Sequence, residues 1–307
     1  MNTRKANGLF LIIVLIYIAM SLFMQFTPMY DVVRSNLALN LILSELVIWL
    51  PALLFMAAGR VNPLRFCRIK RVHFSTLPMT VLFTMLCSPV ITLANAISLL
   101  FVDNTVLGMS GSMMGLPFPV MLFMMAIYGP FAEEFVFRGV LYQSYRAQGN
   151  AFRAALLSAL LFGLMHMNVN QTMYAFVMGV LAALLIEATD SLWTTFLFHF
   201  GVNAASVVTM YAMQLLPEGF YENLMEASTE YAASELLPSV CMYVLLAVVC
   251  TPLAMCALAW MAGREGRLAQ LKNVWPGRKF PSGRMITVPL ILAVFLCLGM
   301  IVLELVM

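Results

Sequence analysis

The sequence has few charged residues, and this scarcity excludes a soluble globular protein. Only 10% of the 307 residues are Asp, Glu, Lys or Arg, 63% are hydrophobic, and the mean hydropathy is +0.93. Long apolar runs instead predict an all-α polytopic integral membrane helix bundle with eight or nine transmembrane helices. The runs cover residues 9–27, 37–58, 77–101, 117–139, 154–167, 172–188, 192–213, 237–262 and 286–307. The run 154–167 is shorter than the roughly 20 residues of a full span, so it is either extended at one end or buried among other helices.

Several motifs are also missing. The six cysteines lack the paired spacing of a zinc knuckle or a redox motif, and the zincin pattern His-Glu-x-x-His does not occur. No basic face carries interleaved aromatic residues, which argues against nucleic acid as a partner. Without an internal repeat or a linker, residues 1–307 are predicted to form a single membrane domain, whose surroundings are the lipid bilayer.

Lys and Arg concentrate on alternate connections between the apolar runs. They precede the first run and follow the second, the fourth and the eighth, whereas the opposite connections hold only Arg34. Cytoplasmic loops carry this excess in membrane proteins. The pattern predicts a multi-pass protein of the cell membrane with a cytoplasmic amino terminus and, with nine helices, an external carboxyl terminus.

The fourth apolar run contains two adjacent carboxylates and an arginine, which are costly inside a bilayer. Glu134 and Arg138 are four residues apart, so they share a helix face and can form an ion pair. Glu133 is rotated by about 100° from Glu134 and cannot use the same arginine in the same way. Glu133 is therefore predicted to find a partner on another helix.

Two of the three histidines lie in membrane helices. Counted from the predicted cytoplasmic side, Glu133 and His166 lie roughly 20 Å along their helices and His199 lies roughly 14 Å from Asp190, so the three groups can meet at one level. Asn203 lies one turn after His199, and Phe162 lies one turn before His166, where it can pack against the imidazole. The set predicts a polar pocket that opens to the cytosol.

Such a pocket suits hydrolysis. A carboxylate in apolar surroundings is a competent base for a water molecule, while imidazoles and a carboxamide can share protons or stabilise an oxyanion. The structural alternative is a buried hydrogen-bond network that holds helices together. A single membrane histidine favours that alternative, but the whole set favours catalysis.

The motifs resemble those of the CAAX protease and bacteriocin-processing (CPBP) membrane family, also called the Abi family. The resemblance covers residues 117–211, which we treat as the catalytic core. It includes Glu133-Glu134 with Arg138, Phe162 with His166, and His199 with Asn203. The resemblance implies an intramembrane glutamate-dependent metalloprotease. Its substrate would be membrane-associated: a prenylated CAAX-type tail, a bacteriocin leader or a signal peptide.

The resemblance also implies roles for individual residues. Glu133 would be the general base, assisted by His166, while His199 and Asn203 would orient water or stabilise the oxyanion. Glu134, Arg138 and Phe162 would support the site. Zinc or another divalent metal held by His166, His199 and Glu133 is compatible with the family name, although His-x-x-x-Asn is not a zincin motif.

Two other functional classes remain open at this point. A bundle with buried Glu, Arg and His could be a proton-coupled membrane carrier, although carriers usually contain sequence repeats. A non-catalytic membrane immunity or scaffold protein could keep the same residues as a structural network.

Overall fold

The computed structural model describes residues 2–27, 32–33, 36–213, 215, 233–274 and 283–306. Within these ranges the regular structure is entirely helical, which confirms the predicted all-α fold. We number the main helices in chain order: α1 Thr3–Gln25, α2 Leu37–Ala58, α3 Thr76–Ser98, α4 Phe118–Arg146, α5 Ala151–Met165, α6 Val169–Thr189, α7 Leu192–Met213, α8 Ala233–Arg264 and α9 Val288–Val306.

Helix α5 is the exception among the nine. In the described part of the chain, eight helices are long and apolar enough to cross a membrane, and α5 is shorter. Its 15 residues begin after Asn150, whose side chain accepts a hydrogen bond from the amide of Arg153, and end before His166. Met167 follows with a φ of 53°, a left-handed conformation that stops the helix. Ten of the 15 residues are buried, so α5 lies among other helices. Burial was one of the two alternatives that the short apolar run 154–167 left open.

Helix α4, which carries Glu133, is not a uniform α-helix. Two π-helical segments interrupt it, at Phe123–Tyr128 and Phe135–Tyr142, on either side of the α-helical segment Gly129–Glu134. A π-helix has an i to i+5 hydrogen-bond pattern and is frequent at functional sites. The paired glutamates therefore lie in a short α-helical segment whose rotation is set by the irregular segments around it.

The connections rich in Lys and Arg meet at one end of the bundle, which we call the basic end. Lys70 pairs with Asp190 between α6 and α7, and Arg146 at the end of α4 pairs with Glu187 at 2.8 Å. Arg267, after α8, lies 3.9 Å from each of the two carboxylates. The alternation seen in the sequence thus corresponds to loops that share one end, and a cytoplasmic location for this end stays a prediction.

Close packing of α5 against α6 makes Gly163 sensitive to substitution. A Cβ atom at this position would lie 2.7 Å from the backbone oxygen of Thr172. We expect Gly163→Ala to push the two helices apart and to lower the free energy of unfolding by about 1–3 kcal/mol. Thermal unfolding followed by intrinsic fluorescence in detergent tests this.

The control for that experiment is Gly299→Ala in α9, where an added Cβ would have no neighbour within 4 Å. The control should unfold like the wild type. A Gly163→Ala protein that also unfolds at the wild-type temperature would contradict the close approach of α5 and α6.

Candidate active site

The carboxylate of Glu133 faces two imidazole rings from two other helices. Nε2 of His166, at the end of α5, lies 4.0 Å from Oε1 of Glu133, and Nε2 of His199, in α7, lies 3.5 Å from Oε2. The side chain of Glu133 is 15% exposed, whereas that of His199 is 4% exposed. The structure thus brings together the three ionisable groups that the sequence placed at one level.

Glu134 connects two of the sequence motifs. Its Oε1 lies 2.9 Å from Nη1 of Arg138, and both side chains are 1% exposed. The same oxygen lies 3.0 Å from Nδ1 of His199, a contact that the sequence did not predict. Because Arg138 neutralises the carboxylate and the carboxylate holds the imidazole, this ion pair fixes the position of His199.

The hydrogen bonds of the two imidazoles indicate which nitrogen faces Glu133 with a lone pair. Nδ1 of His166 lies 3.0 Å from the backbone oxygen of Phe162, and Nδ1 of His199 bonds to Glu134. Since both partners are acceptors, each Nδ1 carries a proton, and in a neutral ring Nε2 is then an acceptor. Two Nε2 acceptors and a carboxylate therefore converge, an arrangement that can bind and deprotonate a water molecule.

The ring of Phe162 packs against both imidazoles. It forms edge contacts with His166 at 5.2 Å and with His199 at 5.8 Å between ring centroids. The guanidinium carbon of Arg138 lies 4.3 Å from the same ring centroid, at the distance of a cation–π interaction. The sequence predicted the contact with His166 alone, but this one ring orients three polar side chains of the site.

Asn203 is held by the backbone of α4. Its Nδ2 donates a hydrogen bond of 2.8 Å to the carbonyl oxygen of Met125, within the first π-helical segment. One amide hydrogen of Asn203 is therefore engaged, and the second is the one that could reach a substrate. The role of Asn203 in stabilising an oxyanion stays a prediction.

Glu45, near the middle of α2, is a further carboxylate of this region that lies outside the three sequence motifs. Its Oε1 would lie 3.3 Å from a Cβ atom built on Gly129, one turn before Glu133 in α4. The available signal was simple: Glu45 is the one acidic residue in the apolar run 37–58. An ionisable residue inside a membrane helix is itself a reason to suspect function.

The site contains side chains of the types that bind metal ions. Zinc accepts imidazole nitrogen and carboxylate oxygen as ligands, which are the donor types present here. Within the described ranges, however, no three His, Cys, Asp or Glu side chains come close enough to hold one ion. Zinc binding stays a prediction, which elemental analysis of the purified protein tests.

Comparisons with known proteins point to one family. Residues 115–205 match the sequence model of the type II CAAX prenyl endopeptidase Rce1-like family. Over 99 residues the chain is 30% identical to the Bacillus subtilis (strain 168) protein named "Putative membrane peptidase YdiL". That match covers 32% of this chain and 39% of the relative, so the chain spans less than half of it. No solved structure matches.

The family match includes all the residues of the three motifs, from Glu133 to Asn203. The resemblance inferred from those motifs is therefore confirmed, and residues 115–205 of this membrane protein are similar to the type II CAAX prenyl endopeptidase Rce1-like family.

Proposed function

We propose that this protein is an intramembrane endopeptidase that hydrolyses a peptide bond of a membrane-associated substrate. The observation that carries the proposal is the convergence of His166 and His199 on Glu133, whose carboxylate is 4.0 Å and 3.5 Å from the two Nε2 atoms. The name of the matched family supports a prenylated CAAX-type tail as the substrate. A bacteriocin leader or a signal peptide is the alternative substrate class.

In the proposed reaction, Glu133 removes a proton from a water molecule that also donates a hydrogen bond to Nε2 of His166. The water oxygen then attacks the carbonyl carbon of the scissile peptide bond. Glu133 afterwards gives the proton to the leaving amine, so protons balance over the cycle. The free carboxyl group and the free amine are the products.

The tetrahedral intermediate requires a donor for its negatively charged oxygen. His199, whose ring is oriented by the contact of 3.0 Å between its Nδ1 and Glu134, can supply one when Nε2 carries a proton. The second amide hydrogen of Asn203 is a further donor. Fixed donors of this type are typically worth about 2.7–4 kcal/mol in the transition state.

Purified protein in liposomes tests the proposal. We expect it to cleave a farnesylated CAAX peptide, or a membrane-embedded leader peptide, into products that mass spectrometry identifies. A flux assay on the same liposomes distinguishes an enzyme from a carrier. Solute or proton flux without cleavage of either peptide class would favour the carrier, and absence of both activities would favour a structural role.

A further inference from the structure

Glu45 is a half-buried acidic residue that has no role in the mechanism above. It lies in α2, and its Oε2 atom is buried without a hydrogen-bond partner among the described residues. Leaving a carboxylate oxygen unpaired inside an apolar bundle is costly. The cost is removed if the carboxylate binds a proton or accepts a hydrogen bond from the substrate.

Contacts between α2 and α4 hold Glu45 against the helix that carries Glu133. Nε1 of Trp49 lies 3.2 Å from the hydroxyl oxygen of Tyr128, and that hydroxyl lies 3.4 Å from the carbonyl oxygen of Ile42. Between these two attachments the carboxylate of Glu45 approaches Gly129, where the missing Cβ leaves it room. The packing of two helices therefore sets the position of Glu45.

Gly129 and Glu133 share a face of α4, because they are four residues apart. Nε2 of His199 lies 3.5 Å from the carboxylate of Glu133, and the carboxylate of Glu45 lies against the same helix one turn earlier, at Gly129. The other ionisable groups around the two carboxyls include Tyr17, Glu134, Arg138, His166, Tyr174 and His199. The cation of this set, Arg138, pairs with Glu134.

Two carboxyl groups that share a site in apolar surroundings cannot both stay ionised, because like charges repel strongly there. One of the pair then holds a proton and can act as a hydrogen-bond donor, while the other stays a base. We propose that Glu45 is a further catalytic residue, which forms with Glu133 a pair of carboxyl groups that shares one proton. This inference rests on the proposed peptidase function.

The two carboxyl groups would have different roles in peptide hydrolysis, one as a base and the other as an acid. Glu133, ionised, takes a proton from water as its oxygen attacks the scissile carbonyl carbon, while protonated Glu45 donates its proton to the carbonyl oxygen. When the intermediate collapses, that proton returns to Glu45, and Glu133 protonates the leaving amine. Both residues regain their starting states, and Glu45 supplies a donor that does not depend on protonation of His199.

The test is Glu45→Gln in the liposome cleavage assay. We expect kcat to fall at least about 100-fold, the lower range for a general acid, with KM within about threefold of wild type. Glu45→Asp, which keeps a carboxyl group, should retain more turnover than Glu45→Gln. Infrared spectroscopy should show the band of a protonated carboxyl group in the wild type and in Glu133→Gln, and its loss in Glu45→Gln.

Ser44→Ala is the matched control, because it removes the hydrogen bonds from the neighbour of Glu45 to Asn40 within α2 but keeps Glu45 and its contact with α4. Its kcat should stay within about threefold of wild type. Equal losses in Ser44→Ala and Glu45→Gln would overturn the inference, since disturbance of α2 would then be the cause. Full turnover of Glu45→Gln, or an unchanged infrared band, would overturn it as well. Wild-type protein that cleaves no peptide would instead refute the proposed function.

Discussion

Glu133→Gln protein is expected to fold normally and to lose peptide cleavage. The amide has nearly the same shape as the carboxylate but cannot take a proton from water, and loss of a general base lowers turnover by about 100- to 10,000-fold. His166→Ala and His199→Ala should lose nearly as much, because their Nε2 atoms face the same carboxylate. Initial rates in liposomes, with the thermal unfolding midpoint as a fold check, measure both effects.

Glu304→Gln provides the matched control for this experiment. Glu304 is an exposed carboxylate near the end of α9, a helix that makes none of the contacts described for the site. The control should cleave at the wild-type rate. Normal cleavage by Glu133→Gln would show that the proposed mechanism is wrong, even if the protein proves to be a peptidase.

Arg138→Met is expected to have the largest effect on stability. Arg138 and Glu134 form an ion pair in which both side chains are 1% exposed, so removal of the guanidinium leaves a buried carboxylate without its cation. Breaking such a pair from one side costs about 3–5 kcal/mol. Cation–π contact with Phe162 is lost in the same variant. The fraction of folded protein after heating, measured by size-exclusion chromatography in detergent, reports the effect.

The double variant Glu134→Leu with Arg138→Met separates stability from catalysis. Removing both charges abolishes the unpaired carboxylate, so the double variant should recover much of the stability that Arg138→Met loses. Cleavage should stay low, because Nδ1 of His199 then lacks the acceptor that lies 3.0 Å away in the wild type. A double variant no more stable than Arg138→Met would contradict the structural role of the pair.

The sequence predicted the helices and the main contacts of the site because these depend on local patterns. Apolar runs of about 20 residues correspond to membrane helices whatever their neighbours are. The ion pair between Glu134 and Arg138 follows from four-residue spacing on one helix. The sequence also predicted that Glu133, His166 and His199 meet at one level. The prediction used the helix rise per residue, because the distance along each helix was counted from the same end of the bundle.

The contacts that the sequence missed depend on how helices are rotated against one another. The bond between Glu134 and His199 requires the relative orientation of α4 and α7, which residue spacing within one helix does not contain. The hydrogen bond from Asn203 to Met125 requires a carbonyl group of a π-helical segment, and no residue pattern in the sequence predicts that segment. The approach of Glu45 to Gly129 likewise requires the packing of α2 against α4, although an acidic residue in an apolar run was visible in the sequence.

The two π-helical segments of α4 affect how related chains should be aligned. Each turn of a π-helix contains more residues than an α-helical turn, so losing one residue there would restore an ordinary α-helix without breaking it. The same deletion next to Glu133 would turn the following residues by about 100° and separate the carboxylates from their imidazole partners. Alignment gaps in this helix therefore belong within Phe123–Tyr128, or after Arg138 in Phe135–Tyr142, where a change in length keeps the spacing of Glu133, Glu134 and Arg138.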